Sequence, residues 1–81
     1  PMLSLFIAKR YYALKNYKKA YSYALITNQL DNSVEDGWII FIKSLVKLNQ
    51  KEKAVKILKE YIITSHSNQA KLLLNNIRLG V

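Results

Sequence analysis

The sequence has no cysteine, which excludes disulfides and thiolate-bound metal and leaves the redox compartment unspecified. It has one proline and two glycines, too few breakers for a fold of many short strands and tight turns. Acids are scarce: five Asp and Glu stand against thirteen Lys and Arg, for a net charge of +8. Such an excess suits an anionic partner, whether nucleic acid, an acidic membrane face or an acidic protein. Long apolar runs are missing too. The longest is Trp38–Ile42, far short of the ~18–20 residues a membrane helix needs, so no membrane span is expected. No charged segment leads into a long apolar stretch and a cleavage site, so no secretory signal is expected; the location expected is cytoplasmic. Pro1 is not an initiator residue, so the chain is expected to be processed, tagged or truncated.

The chemical inventory is thin as well. His66 is the one histidine and has no second histidine, cysteine or aspartate at ligand spacing, so a solvated loop residue is expected, with no metal. The acids Asp31, Glu35, Asp36, Glu52 and Glu60 form no convincing general acid–base pair. Glu35 and Asp36 instead suit the N-terminal end of a helix, where negative charge complements the dipole. The two glycines, Gly37 and Gly80, cannot form a phosphate-cradling loop. A chain of 81 residues also leaves little room for an enclosed active-site cavity. A non-enzymatic protein without cofactor or metal is therefore expected.

What the sequence does have is an internal repeat. Residues 1–34 overlay residues 35–68 without a gap. Ile7 falls on Phe41, Ala8 on Ile42, Tyr11 on Leu45, Leu14 on Leu48 and Ala20 on Ala54. Within each half the apolar residues step by three and four, the period of a helix. The steps are Leu3, Ile7, Tyr11, Leu14 and then Tyr17, Ala20, Tyr21, Ala24 in the first half. In the second they are Trp38, Phe41, Ile42, Leu45, Leu48 and then Ala54, Val55, Leu58, Tyr61, Ile62. A partial third copy starts near Gln69, with Leu72 and Leu79 on the positions of Trp38 and Leu45, and polar Asn75 and Asn76 where a core pair would stand. Polar residues there fit a closing helix with nothing beyond it. Helices are expected over 3–14, 17–30, 36–48, 51–64 and 69–79, with loops at 31–35 and 65–68. Asn16 and Asn49 are expected to cap helices, and Ser33 with Asp36 to form a capping box.

This pattern resembles the tetratricopeptide repeat. The residues that carry the likeness are Trp38, Phe41 and Ala54 in the second unit, with Ile7, Ala8, Tyr11, Tyr17 and Ala20 in the first. Asn16-Tyr17-Lys18-Lys19-Ala20 looks like that family's turn into its second helix. Ile42 and Ala24 depart from its usual small and aromatic residues, and Asn32 and His66 stand where proline often ends a unit. The resemblance implies an all-α, right-handed solenoid of tandem antiparallel helix hairpins in a single domain. Repeat one covers 1–34, repeat two 35–68, and a capping helix 69–81.

It also implies a concave groove lined by the first helix of each unit. By position those residues are Leu5, Lys9 and Tyr12, then Ile39, Lys43 and Val46, then Leu73 and Ile77. Leu5, Ile39, Val46 and Leu73 are apolar beyond what the internal stripe needs, so a partner segment, such as an amphipathic helix, is expected to cover them. Leu5 and Lys9 stand where a Lys–Asn carboxylate clamp would be, so the heat-shock-chaperone ligand class is not expected.

The C-terminal half further resembles the tetratricopeptide-like chaperones of the type III secretion needle subunit. Trp38 at a helix start, the apolar helix after it, and the segment Ser65–Arg78 carry that likeness. It implies a bacterial chaperone holding a filament subunit, together with a second small co-chaperone. Two units and a cap fall short of the three repeats that usually sustain such an array, so the unliganded chain is expected to be marginal, aggregation-prone or self-associated. The runner-up function comes from the lysines. Lys9, Arg10, Lys15, Lys18 and Lys19 cluster at the first turn, interleaved with Tyr11, Tyr12 and Tyr17, and Lys47, Lys51, Lys53, Lys56 and Lys59 cluster at the second. That interleaving suits RNA or a nucleoprotein, although a solvated charged face is the commoner meaning and an apolar groove argues against base recognition.

Overall fold

The computed structural model describes residues 2–80, which form five helices and, among the described residues, no strand. They are α1 (Met2–Ala13), α2 (Tyr17–Leu30), α3 (Glu35–Lys47), α4 (Lys51–Ser65) and α5 (Asn68–Arg78). Each helix packs on the next in sequence, and α1 also packs on α3. Consecutive helices from α1 to α4 run antiparallel. The Oγ atoms of Ser4 and Thr27, 2.7 Å apart, join the start of α1 to the end of α2. The Tyr61 hydroxyl, 3.4 Å from Glu35 Oε1, does the same for α4 and α3.

The turns inside the two hairpins repeat bond for bond. In the first, the amide of Leu14 donates to the carbonyl of Arg10, Lys15 to Tyr12 and Asn16 to Tyr11. In the second, Leu48 donates to Ser44, Asn49 to Val46 and Gln50 to Leu45. Donors and acceptors all correspond at the 34-residue offset of the overlay. The left-handed residue of each turn corresponds as well: Lys15 at φ 62° and Asn49 at φ 64°. These bonds satisfy helix-end carbonyls that would otherwise lack partners.

Two expected caps need correction. Asn16 does cap α2, accepting from the Lys19 amide at 3.3 Å. Asn49 occupies the left-handed turn position, which asparagine also tolerates, and Gln50 opens α4 without a side-chain bond. The Ser33–Asp36 box is replaced by a local turn. Asp31 Oδ1 accepts from the Ser33 amide at 2.9 Å and from its hydroxyl at 2.5 Å. These bonds hold the exposed Asp31 carboxyl below its usual pKa. α3 then starts after Val34 with Glu35 and Asp36 in its first turn.

Alanine lets the helices approach closely: Ala8, Ala20, Ala24, Ala54 and Ala70 are fully buried. Ile42, Leu45 and Leu58 fill the centre. An aromatic row crosses the helices, with Tyr21 stacked on Phe41, Phe41 edge-on to Trp38, and Trp38 stacked on Tyr61. Gly37 is required by close packing, because a Cβ there would lie 2.5 Å from Asn28 Oδ1. In α5 the buried face carries Ala70 and Ile77, with Leu73 and Leu74 half-buried beside them. Leu72 and Leu79 are exposed, contrary to the overlay, because α5 packs chiefly against α4 and turns a different face inward.

Candidate partner-binding cleft

The repeat overlay puts α1, α3 and α5 in register. Tyr12 corresponds to Val46, Lys43 to Ile77, and Ile39 to Leu73. Five of the eight expected groove residues come together. Tyr12, Lys43, Val46, Leu73 and Ile77 line one cleft of about 180 Å³, joined by Lys47. Val46 and Leu73 are half-buried and Ile77 is buried, giving an apolar floor. The lysines and Tyr12 form one wall. Lys43 Nζ lies 5.4 Å from the Tyr12 ring centre, and Lys47 Nζ lies 5.9 Å from that of Tyr17. The two tyrosine rings pack edge to face at 5.3 Å. Burial, and then the nearby Tyr17, raise the Tyr12 hydroxyl above its usual pKa.

Three expected groove residues are elsewhere. Leu5 and Ile39 are 5% and 6% exposed, so neither is surplus apolar surface awaiting a partner. Ile39 belongs to the central core cluster. The physical reason is that α1 and α3 each touch more than one helix, so more than one face is consumed internally. Lys9 is drawn out of the cleft by an ion pair with Asp36, Nζ to Oδ2 2.8 Å, on half-exposed side chains. A pair so exposed contributes little stability, ~0–1 kcal/mol. Lys47 and Tyr17 were not among the expected residues. Lys47 lies four residues after Lys43, on the same helical face, and that spacing was the available signal.

Wider depressions surround Trp38. One, of about 410 Å³, is lined by Asn32, Ser33, Trp38, Tyr61, Thr64 and Ser65. Its principal polar groups are internally engaged: Trp38 Nε1 donates to the Asn32 carbonyl at 2.9 Å, and the Tyr61 hydroxyl contacts Glu35. The cleft beside Tyr12 instead combines apolar floor with ammonium groups that have no carboxylate partner among the described residues. A separate exposed apolar edge, Met2, Leu3, Phe6, Ile26 and Leu30, surrounds the start of α1 and the end of α2. His66 ends α4 in a left-handed conformation. Among the described residues no group of three or more His, Cys, Asp or Glu could hold a metal, and no helix is long and apolar enough to cross a membrane.

Compared with known proteins, the chain matches no family model, no curated protein and no solved structure.

Proposed function

We propose that the chain is a non-enzymatic interaction module of tetratricopeptide type, two helix hairpins and a capping helix forming a right-handed stack. It holds an amphipathic helix of a protein partner in the cleft between α1, α3 and α5. The observation that carries this reading is the convergence of Tyr12, Lys43, Val46, Leu73 and Ile77 on one cleft, because these residues come from three helices related by the repeat. The matching hydrogen bonds of the two hairpin turns support the repeat itself. A helix laid across such a floor would bury its apolar side chains at i, i+3, i+4 and i+7. The specific instance proposed is a cytoplasmic bacterial chaperone for a filament subunit of type III secretion, acting with a small co-chaperone. The exposed Leu3, Phe6, Ile26 and Leu30 edge supports self-association of the unliganded chain.

The test uses helical peptides selected against the protein from a displayed library. Leu73→Gln removes half-buried floor and should weaken the selected peptide at least tenfold. Leu72→Gln, one residue away but exposed, should leave affinity unchanged. Equal affinities for the two variants would remove the cleft as the binding site.

A further inference from the structure

The positive charge is not spread evenly. No Lys or Arg occurs between Ala20 and Ile42, and three of the five acids, Asp31, Glu35 and Asp36, fall in that stretch. Lys15, Lys18 and Lys19 flank the α1–α2 turn, while Lys47, Lys51 and Lys53 flank the α3–α4 turn. Antiparallel packing brings these two turns to the same end of the bundle. The contacts of Lys43 with Tyr12 and of Lys47 with Tyr17 tie one turn to the other. The acidic α2–α3 connection lies at the opposite end. Among the described residues the one ion pair is Lys9–Asp36, so the lysines of both turns lack a carboxylate partner.

Several of these lysines work against local stability. Lys18 and Lys19 occupy the first turn of α2, which has no acid, and so oppose the positive end of the helix dipole. Lys15 holds a left-handed conformation that glycine adopts more readily. Lys19 does rest its ammonium over the Tyr11 ring, 5.2 Å from its centre, but helix propensity favours none of these choices, whereas a negatively charged partner would favour them.

We infer that the segment held in the cleft is acidic, with its apolar face on Val46, Leu73 and Ile77 and its carboxylates turned toward Lys43, Lys47 and the two lysine-bearing turns. This rests on the cleft being a partner site. Lys43 and Lys47 line the same cleft as the apolar floor, so one amphipathic helix with a carboxylate flank meets both at once. An RNA strand would use the lysines but not the floor. Tyr12 and Tyr17 also give bases no open platform, since their rings pack on each other and each carries a lysine ammonium over it.

The test is a selection from a displayed library of helical peptides whose polar positions are randomised among Glu, Gln and Lys. Three proteins are compared: the unaltered chain, Lys43→Gln with Lys47→Gln, and Lys56→Gln with Lys59→Gln. The two double variants lose the same net charge, but only the first alters the cleft. Peptides enriched by the unaltered chain should carry Glu along one flank. They should bind the cleft variant at least tenfold more weakly and the α4 variant nearly normally. Replacing their Glu by Gln should also cost at least tenfold, with the loss shrinking as salt rises. If the Gln forms bind as well as the Glu forms and still depend on Leu73, the cleft stands and the acidic partner is wrong. Equal losses for the two double variants would reduce the effect to net charge and overturn the inference. Absence of any enriched peptide, or displacement of the peptides by a short uridine RNA that binds more tightly, would overturn both the inference and the cleft reading.

Discussion

Replacing Gly37 by alanine is expected to destabilise this protein, although a glycine within a helix normally costs up to ~1 kcal/mol relative to alanine. The added Cβ would lie 2.5 Å from Asn28 Oδ1 and 3.0 Å from Thr27 Cγ2. Thr27 cannot yield readily. It is fully buried, donates to the Tyr23 carbonyl at 3.0 Å and sits 2.7 Å from the Ser4 hydroxyl. Asn28 must therefore move, although it is only 7% exposed and confined between α2 and α3. Overpacking of this kind costs ~1–3 kcal/mol. Against the propensity gain, the net loss is about 1 kcal/mol, or roughly 4–8 °C in Tm for a domain of this size. Asn28→Ala alone should be nearly neutral. It leaves a cavity, but it also removes a buried amide whose nitrogen and oxygen both lack a hydrogen-bond partner, a burden of ~1–3 kcal/mol. In the double variant the methyl added by Gly37→Ala finds the space Asn28 has vacated, and stability should return to the parent value or above. Urea unfolding followed by far-UV dichroism gives the four corners of the cycle, with an expected coupling of ~1–2 kcal/mol. Additivity within ~0.3 kcal/mol, or a Gly37→Ala protein more stable than the parent, would refute the assignment of Asn28 as the obstacle.

Three further outcomes follow from the same packing. Ile39→Asp should lower stability sharply whether or not a partner is present, because an unpaired carboxylate in the core costs more than ~4 kcal/mol, a large part of the ~4–12 kcal/mol total for this length; a variant whose Tm in the absence of a partner matches the parent's would return Ile39 to the groove. Lys15→Gly should raise Tm by several degrees, since it relieves ~1 kcal/mol of left-handed strain; an unchanged or lower Tm would show the strain to be absorbed elsewhere. Tyr12 ionises later in the folded chain than in the unfolded one, so its contribution is intact below pH about 10 and is lost as pH rises through the folded value. Tyr12→Phe should therefore lessen the alkaline loss of stability and remove one late component from the ultraviolet absorbance titration.

The helices were readable because two independent periodicities agreed, the three-to-four step within each helix and the 34-residue step between hairpins. Boundaries shifted by at most one residue, as frayed ends do. The caps were less legible, because a residue type alone does not choose between its roles. Asn16 and Asn49 have the same side chain, yet only Asn16 accepts a helix amide. The overlay contained the distinction, because Asn49 aligns with Lys15 and not with Asn16.

The site was legible in part, and the errors share one cause. Assigning one buried stripe to each helix leaves Leu5 and Ile39 over, as though a partner had to cover them. A helix flanked by several others buries more than one stripe, and the apolar run Trp38–Ile42 is covered largely by the chain itself. The slot shared by Lys9, Lys43 and Ile77 shows what the repeat does and does not determine. Lys9 pairs with Asp36, Lys43 rests over Tyr12, and Ile77 is buried. The repeat sets where a side chain stands, but the neighbouring helix decides whether that place is ion pair, cleft wall or core. In the first hairpin the slot meets the acidic start of α3; in the second it meets the aromatic end of α1. The proposed cleft is therefore built where the repeat is least regular, at the junction of Tyr12, Lys43 and Ile77, three unlike residues that a repeat-averaged pattern cannot reproduce.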